Sequence, residues 1–135
     1  MNNWRGLKME NGKKKILIIE DSLTMQRLLS YVLEKEGYDV YIANDGEEGM
    51  KKARAIKPDL IFTDLMMPVK DGFEVCREIR FDKKLKDVIL IILTARGQDS
   101  DVEKGLQAGA DDYLMKPFDP PKVVERVKKV FEEKS

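Results

Sequence analysis

Apolar positions follow two different periods along this chain, and the two take turns. Ile16 to Ile19 is a compact β-branched run of strand length that ends at Glu20-Asp21. Ser22 or Asp21 then caps a helix whose apolar positions Leu23, Leu28, Leu29, Val32 and Leu33 recur at helical spacing, and Gly37 closes it. Tyr38 to Ala43 alternates as a second strand, and Asn44-Asp45-Gly46 turns into a helix through about Ala55 that Pro58 ends. Leu60 to Thr63 is the central strand, and Asp71-Gly72 starts a helix through Arg80 carrying Phe73, Val75, Cys76 and Ile79. Val88 to Leu93 is a fourth strand, and Ser100 or Asp101 opens a helix ending near Gly109. Tyr113-Leu114-Met115 is a short fifth strand broken by Lys116-Pro117, and Asp119 caps a last helix through about Glu132.

Strand and helix alternate five times, which predicts an α/β fold: a parallel sheet with helices on both faces and right-handed crossovers. Residues 1–13 read as a flexible N-terminal tail and residues 14–135 as one domain, with no internal repeat.

Composition narrows the class. Charged residues make up 37% of the chain, but 25 basic and 25 acidic side chains cancel. That balance argues against a general polyanion binder, so nucleic acid is not an expected partner. The longest apolar run, Val88 to Leu93, is far short of the ~20 residues that span a membrane. The polar N-terminus lacks the apolar core of a signal peptide, and a lone Cys76 forms no internal disulfide, so a cytoplasmic location is expected. Cys76 itself reads as a small core residue. The chain has no histidine, which excludes a phosphohistidine donor, a Ser-His-Asp triad and a His-ligated zinc site.

The polar residues where strands end carry the chemistry. Glu20-Asp21 follows strand one, Asp64 strand three, Thr94 strand four and Lys116 strand five. In a parallel sheet all of them gather at the carboxyl edge, where ligands of such folds bind. Three carboxylates held together repel unless a cation neutralises them, and an all-oxygen donor set suits Mg²⁺. A cation, the Lys116 ammonium and the Thr94 hydroxyl around a carboxylate nucleophile make a phosphoryl-transfer site.

These residues carry a resemblance. Glu20-Asp21, the stretch D-L-M-M-P-V-K-D-G from Asp64 to Gly72, Leu93-Thr94-Ala95 and G-A-D-D-Y-L-M-K-P-F at 109–118 are similar, in order and spacing, to the two-component response-regulator receiver domain. The similarity covers about residues 14–134. It implies a flavodoxin-like, doubly wound five-stranded sheet of order 2-1-3-4-5, in a stand-alone, chemotaxis-regulator-like receiver or one cut from a longer protein. It further implies that Asp64 is the phospho-acceptor. Asp21 would hold Mg²⁺ directly, Glu20 through water, and the Met66 carbonyl would complete the protein ligands. Lys116 would contact the phosphoryl oxygens, and its bond to Pro117 would be cis. Thr94 would be the switch hydroxyl, Tyr113 the aromatic that turns inward, and Ala95 the small neighbour that leaves Asp64 accessible.

The implied function is a phosphorylation-activated switch rather than a turnover enzyme. A sensor histidine kinase or phosphotransfer protein would supply the phosphoryl group. The face made by helix four, strand five and helix five would then engage a downstream effector or a second copy. A haloacid-dehalogenase-like phosphatase needs a D-x-D-x-T/V signature after strand one, which Glu20-Asp21-Ser22-Leu23 does not supply. A flavodoxin-like cofactor binder needs a phosphate-cradling loop there, where the acidic pair would repel phosphate.

Overall fold

The computed structural model describes residues 12–67, 69–95 and 99–134. Five strands, β1 (Lys15–Ile19), β2 (Asp39–Ala43), β3 (Leu60–Asp64), β4 (Ile89–Ala95) and β5 (Asp112–Lys116), alternate with five helices. The helices are α1 (Leu23–Lys35), α2 (Gly46–Ile56), α3 (Gly72–Phe81), α4 (Asp99–Gln107) and α5 (Pro120–Lys134). The strands pair in parallel in the order β2-β1-β3-β4-β5, the doubly wound arrangement expected from the sequence.

Two cores form because successive strand residues point to opposite faces. Ile16, Ile18, Leu60, Phe62, Ile91 and Leu93 pack under α1 and α5, which contribute Leu29, Leu33, Val123 and Val127. Leu17, Ile19, Ile61, Leu90 and Ile92 pack under α2 and α3, which contribute Met50, Ala53, Val75, Cys76 and Ile79. A β-carbon on Gly105 of α4 would sit 2.3 Å from the Ile92 Cδ1, so that glycine brings α4 down onto the sheet. Among the described residues no helix is long and apolar enough to cross a membrane.

The caps are local. Of the two candidates for α1, Ser22 is the cap, its hydroxyl accepting the Met25 N–H at 3.3 Å. Asp45 caps α2 through the Glu48 N–H at 2.8 Å, and Asp71 and Glu74 form a reciprocal capping box on α3. Pro120 and Pro121 occupy the first turn of α5, where a missing N–H costs nothing.

Details depart from the sequence pattern, beginning with α4, which starts at Asp99 rather than at Ser100 or Asp101. β4 extends two residues past Leu93, because Thr94 and Ala95 pair with Met115 and Lys116 of β5. Thr94 therefore lies within the strand rather than after it. Leu23 is 58% exposed, whereas Gln26 is buried in its helix. The expected tail lies outside the described residues except for Gly12 and Lys13.

Candidate functional site

Parallel register delivers the predicted residues to one edge. Asp64 is the last residue of β3, Thr94 the penultimate residue of β4, Lys116 the last of β5, and Glu20 directly follows β1. Glu20, Asp64 and Thr94 are buried, while Asp21 is exposed. One carboxylate oxygen from each of Glu20, Asp21 and Asp64 lies within 4.8 Å of the others. The Lys116 Nζ donates to Asp64 Oδ2 at 3.0 Å and stands 3.1 Å from Glu20 Oε1.

Glu20 is clamped on every side but one. Its N–H donates to the Ala43 carbonyl at 3.0 Å, and its Oε2 accepts the Ser22 N–H at 2.9 Å. Its carbonyl accepts from Gln26 Nε2 at 2.6 Å. Oε1 is buried, and Lys116 attracts it as an ion pair without a directed hydrogen bond. Burial pushes the Glu20 carboxyl above the usual glutamate range; the Ser22 N–H opposes that shift and the nearby Asp64 adds to it. Burial also works against the Lys116 ammonium, yet the Asp64 and Glu20 carboxylates outweigh it and hold its pKa above the ordinary lysine value.

This arrangement fits a hard cation. Three carboxylate groups converge, and Glu20 Oε1, 3.1 Å from the Lys116 Nζ, is buried with no directed hydrogen bond among the described residues. Asp64, Met66, Thr94, Ala95 and Lys116 line a cavity of about 200 Å³ at the same edge. That is room for a small tetrahedral group beside the Asp64 carboxylate. Among the described residues the Thr94 hydroxyl makes one long bond, to the Ala95 carbonyl at 3.4 Å, a weak tie that a better acceptor could replace.

Met66 lines the cavity, whereas Tyr113 does not. The Met66 N–H donates to Asp64 Oδ1 at 3.4 Å, and its side chain is 75% exposed. Tyr113 is half-buried against the core under α2 and α3. The Lys116–Pro117 bond is cis. Sequence reasoning missed three contributors. Gly72, read only as part of a helix start, packs against β3: a β-carbon there would lie 2.3 Å from the Asp64 carbonyl oxygen. Asp101, read only as a helix start, lines the cavity. Gln26 holds the Glu20 main chain, and its signal was a polar side chain three residues before the core residue Leu29.

The family model for the response regulator receiver domain matches residues 16–128. The chain is 48% identical over 117 residues to the alkaline phosphatase synthesis transcriptional regulatory protein PhoP of Bacillus subtilis, covering 87% of this chain and 48% of that protein. It is 39% identical over 120 residues to the DNA-binding response regulator MtrA of Mycobacterium tuberculosis, covering 89% and 51%. The solved structure of the chemotaxis protein CheY4 of Vibrio cholerae superposes with a TM-score of 0.83 at 31% identity, covering 88% of this chain and 99% of that one. The chain thus spans about half the length of the curated relatives it matches. MtrA is DNA-binding by name, and this chain corresponds to about half of it. A family match running from β1 into α5 takes in every strand of the sheet, and the chain belongs to the response regulator receiver domains, the phospho-acceptor switches of two-component signalling.

Proposed function

We propose that Asp64 is the phospho-acceptor of this switch. The observation that carries the reading is the Lys116 ammonium seated between Asp64 and Glu20, in a cluster of three carboxylates at the rim of a small cavity. A donor phosphohistidine on a sensor histidine kinase or phosphotransfer protein must come from outside, since this chain has no histidine. An Asp64 carboxylate oxygen attacks phosphorus, the O–P bond forms, and the P–N bond to the departing imidazole breaks. Lys116 shifts from Asp64 Oδ2 onto the phosphoryl oxygens, and Thr94 donates its hydroxyl to one of them.

Glu20, Asp21, Asp64 and the Met66 carbonyl would hold Mg²⁺. The ion would neutralise charge on the transferring group. Movement of Thr94 opens space toward which Tyr113 turns, and the α4–β5–α5 face changes shape for an effector or a second copy. The domain assists its own phosphorylation and hydrolysis without being a turnover enzyme, and it works in the cytoplasm.

Mass spectrometry after incubation with acetyl phosphate and Mg²⁺ tests the reading. One phosphoryl group on Asp64 is expected, with none on Asp64→Asn or after chelation. Full labelling of Asp64→Asn at another aspartate overturns it.

A further inference from the structure

Gln26 is a buried polar side chain in the second turn of a helix that otherwise buries Leu29, Val32 and Leu33. Its side-chain amide uses both hydrogens, one on the Glu20 carbonyl at 2.6 Å and one on Asn44 Oδ1 at 2.8 Å. The direction of these bonds is set from the far end. Asn44 Nδ2 donates to Glu48 Oε1 at 3.2 Å, and a carboxylate only accepts, so the Asn44 oxygen must face Gln26. Glu48 is anchored in turn by the Asn44 N–H at 2.6 Å and by Lys52, 3.3 Å from its other oxygen. The Asn44 N–H, with Lys52 adding to it, holds the Glu48 carboxyl below the usual glutamate range, so the anchor stays charged at neutral pH.

We infer that Gln26 is a positioning residue for the cation site. The reason is covalent. The Glu20 carbonyl belongs to the peptide plane that joins Glu20 to Asp21, and that plane is rigid. One hydrogen bond to this oxygen orients the backbone from which both carboxylates hang. The Glu20 N–H bond to Ala43 and the Ser22 N–H bond to Glu20 Oε2 restrain the same residue, so Gln26 completes a three-point clamp that leaves Oε1 facing the site. Through Asn44 and Glu48, the clamp ties the acidic pair to the first turn of α2, an element that supplies no site residue. The inference rests on the reading of Glu20 and Asp21 as cation ligands.

Calorimetric titration with Mg²⁺ alone tests it, on the wild type, on Gln26→Met, which keeps length but loses both donors, and on Asn44→Ala, which removes only the far partner. Partners that orient ligands are typically worth 10- to 100-fold in metal affinity. Because this one acts on the main chain, Gln26→Met is expected to weaken Mg²⁺ binding about tenfold, and Asn44→Ala to weaken it less. Labelling by acetyl phosphate should require more Mg²⁺ in Gln26→Met yet reach the wild-type rate at saturation. Unchanged Mg²⁺ affinity in Gln26→Met overturns the inference whatever happens to its melting temperature, since a structural role alone would lower only the latter. If Gln26→Met does not fold, unchanged affinity in Asn44→Ala overturns it instead. A wild type that binds no Mg²⁺ overturns both this inference and the cation reading beneath it, whereas equal binding by wild type and Gln26→Met removes only the inference.

Discussion

At the amino end of the sheet, Arg80 donates to the carbonyls of Gly109 and Lys86 at 2.8 Å and of Val88 at 2.6 Å, and to Asp111 at 2.9 Å. Asp111 also accepts the Leu90 N–H at 2.9 Å, and nearby Asp59 accepts the Lys15 N–H at 2.8 Å. At the carboxyl end, three carboxylates cluster, Lys116 pairs with two of them, and Glu20 Oε1 accepts no directed hydrogen bond among the described residues. The first region spends its polar groups on tying α3 to the starts of β4 and β5. The second keeps charge in excess, so an added cation or a repositioned lysine lowers its energy. Cavity size does not mark the carboxylate cluster: the groove beside Arg80, between α3 and α4, measures about 710 Å³, against about 200 Å³ at Asp64. Unbalanced chemistry marks the candidate site, and balanced chemistry marks the frame.

Substitutions should separate the two regions. The largest effect is expected for Arg80→Ala, which strips partners from several carbonyls and from Asp111. A loss of about 3 kcal/mol, or about 10 °C in melting temperature, should appear in thermal unfolding. Acetyl phosphate should still label Asp64 at temperatures where the variant is folded; lost labelling in a folded variant would show that the amino end reaches into the chemistry.

Next comes Met66→Asn at the carboxyl end. Water must approach the phosphoryl group in line, and a thioether occupies space there without orienting it. Hydrolysis of the aspartyl-phosphate should speed up about tenfold, or about 1.4 kcal/mol of barrier, with Mg²⁺ affinity almost unchanged because the proposed ligand is backbone. A longer phosphoryl lifetime in Met66→Asn than in wild type contradicts the shielding role.

A smaller effect, of opposite sign to Arg80→Ala, is expected for Glu20→Gln in chelator. Burial disfavours the Glu20 charge more than its partners favour it, so the neutral isostere should stabilise the metal-free domain at neutral pH by about 1 kcal/mol. A lower melting temperature than wild type under those conditions would place Glu20 with the balanced frame. The smallest change belongs to Cys76, whose thiol burial pushes up to about 11. Thiol reagents should leave it unmodified in the native protein at neutral pH and label it after denaturation; rapid native labelling would mean that the core under α2 and α3 opens readily.

The sequence by itself determined the alternation of elements, the starts of α1, α2 and α3 and the chemical character of the candidate site. Each of these is local: a β-branched run, a Ser22 or Asp71 before an amphipathic stretch, and an acidic or basic residue where a strand runs out. Asp64, Glu20, Asp21, Thr94 and Lys116 were legible for that reason, since a parallel sheet must bring its strand ends together. Tertiary structure decided what depends on residues far apart in the chain. Pairing with β5 carried β4 through Thr94, so its hydroxyl lies within the sheet edge rather than beyond it. Close approach to the Asp64 main chain made Gly72 more than a helix start. Burial separated neighbours of the same chemistry, enclosing Glu20 and leaving Asp21 in solvent. Gln26 interrupted the apolar stripe of α1 because the Glu20 carbonyl and Asn44, brought together by β1–β2 pairing, both needed a donor there. Periodicity reports which face of an element is buried, while only the packed fold sets which polar group meets which.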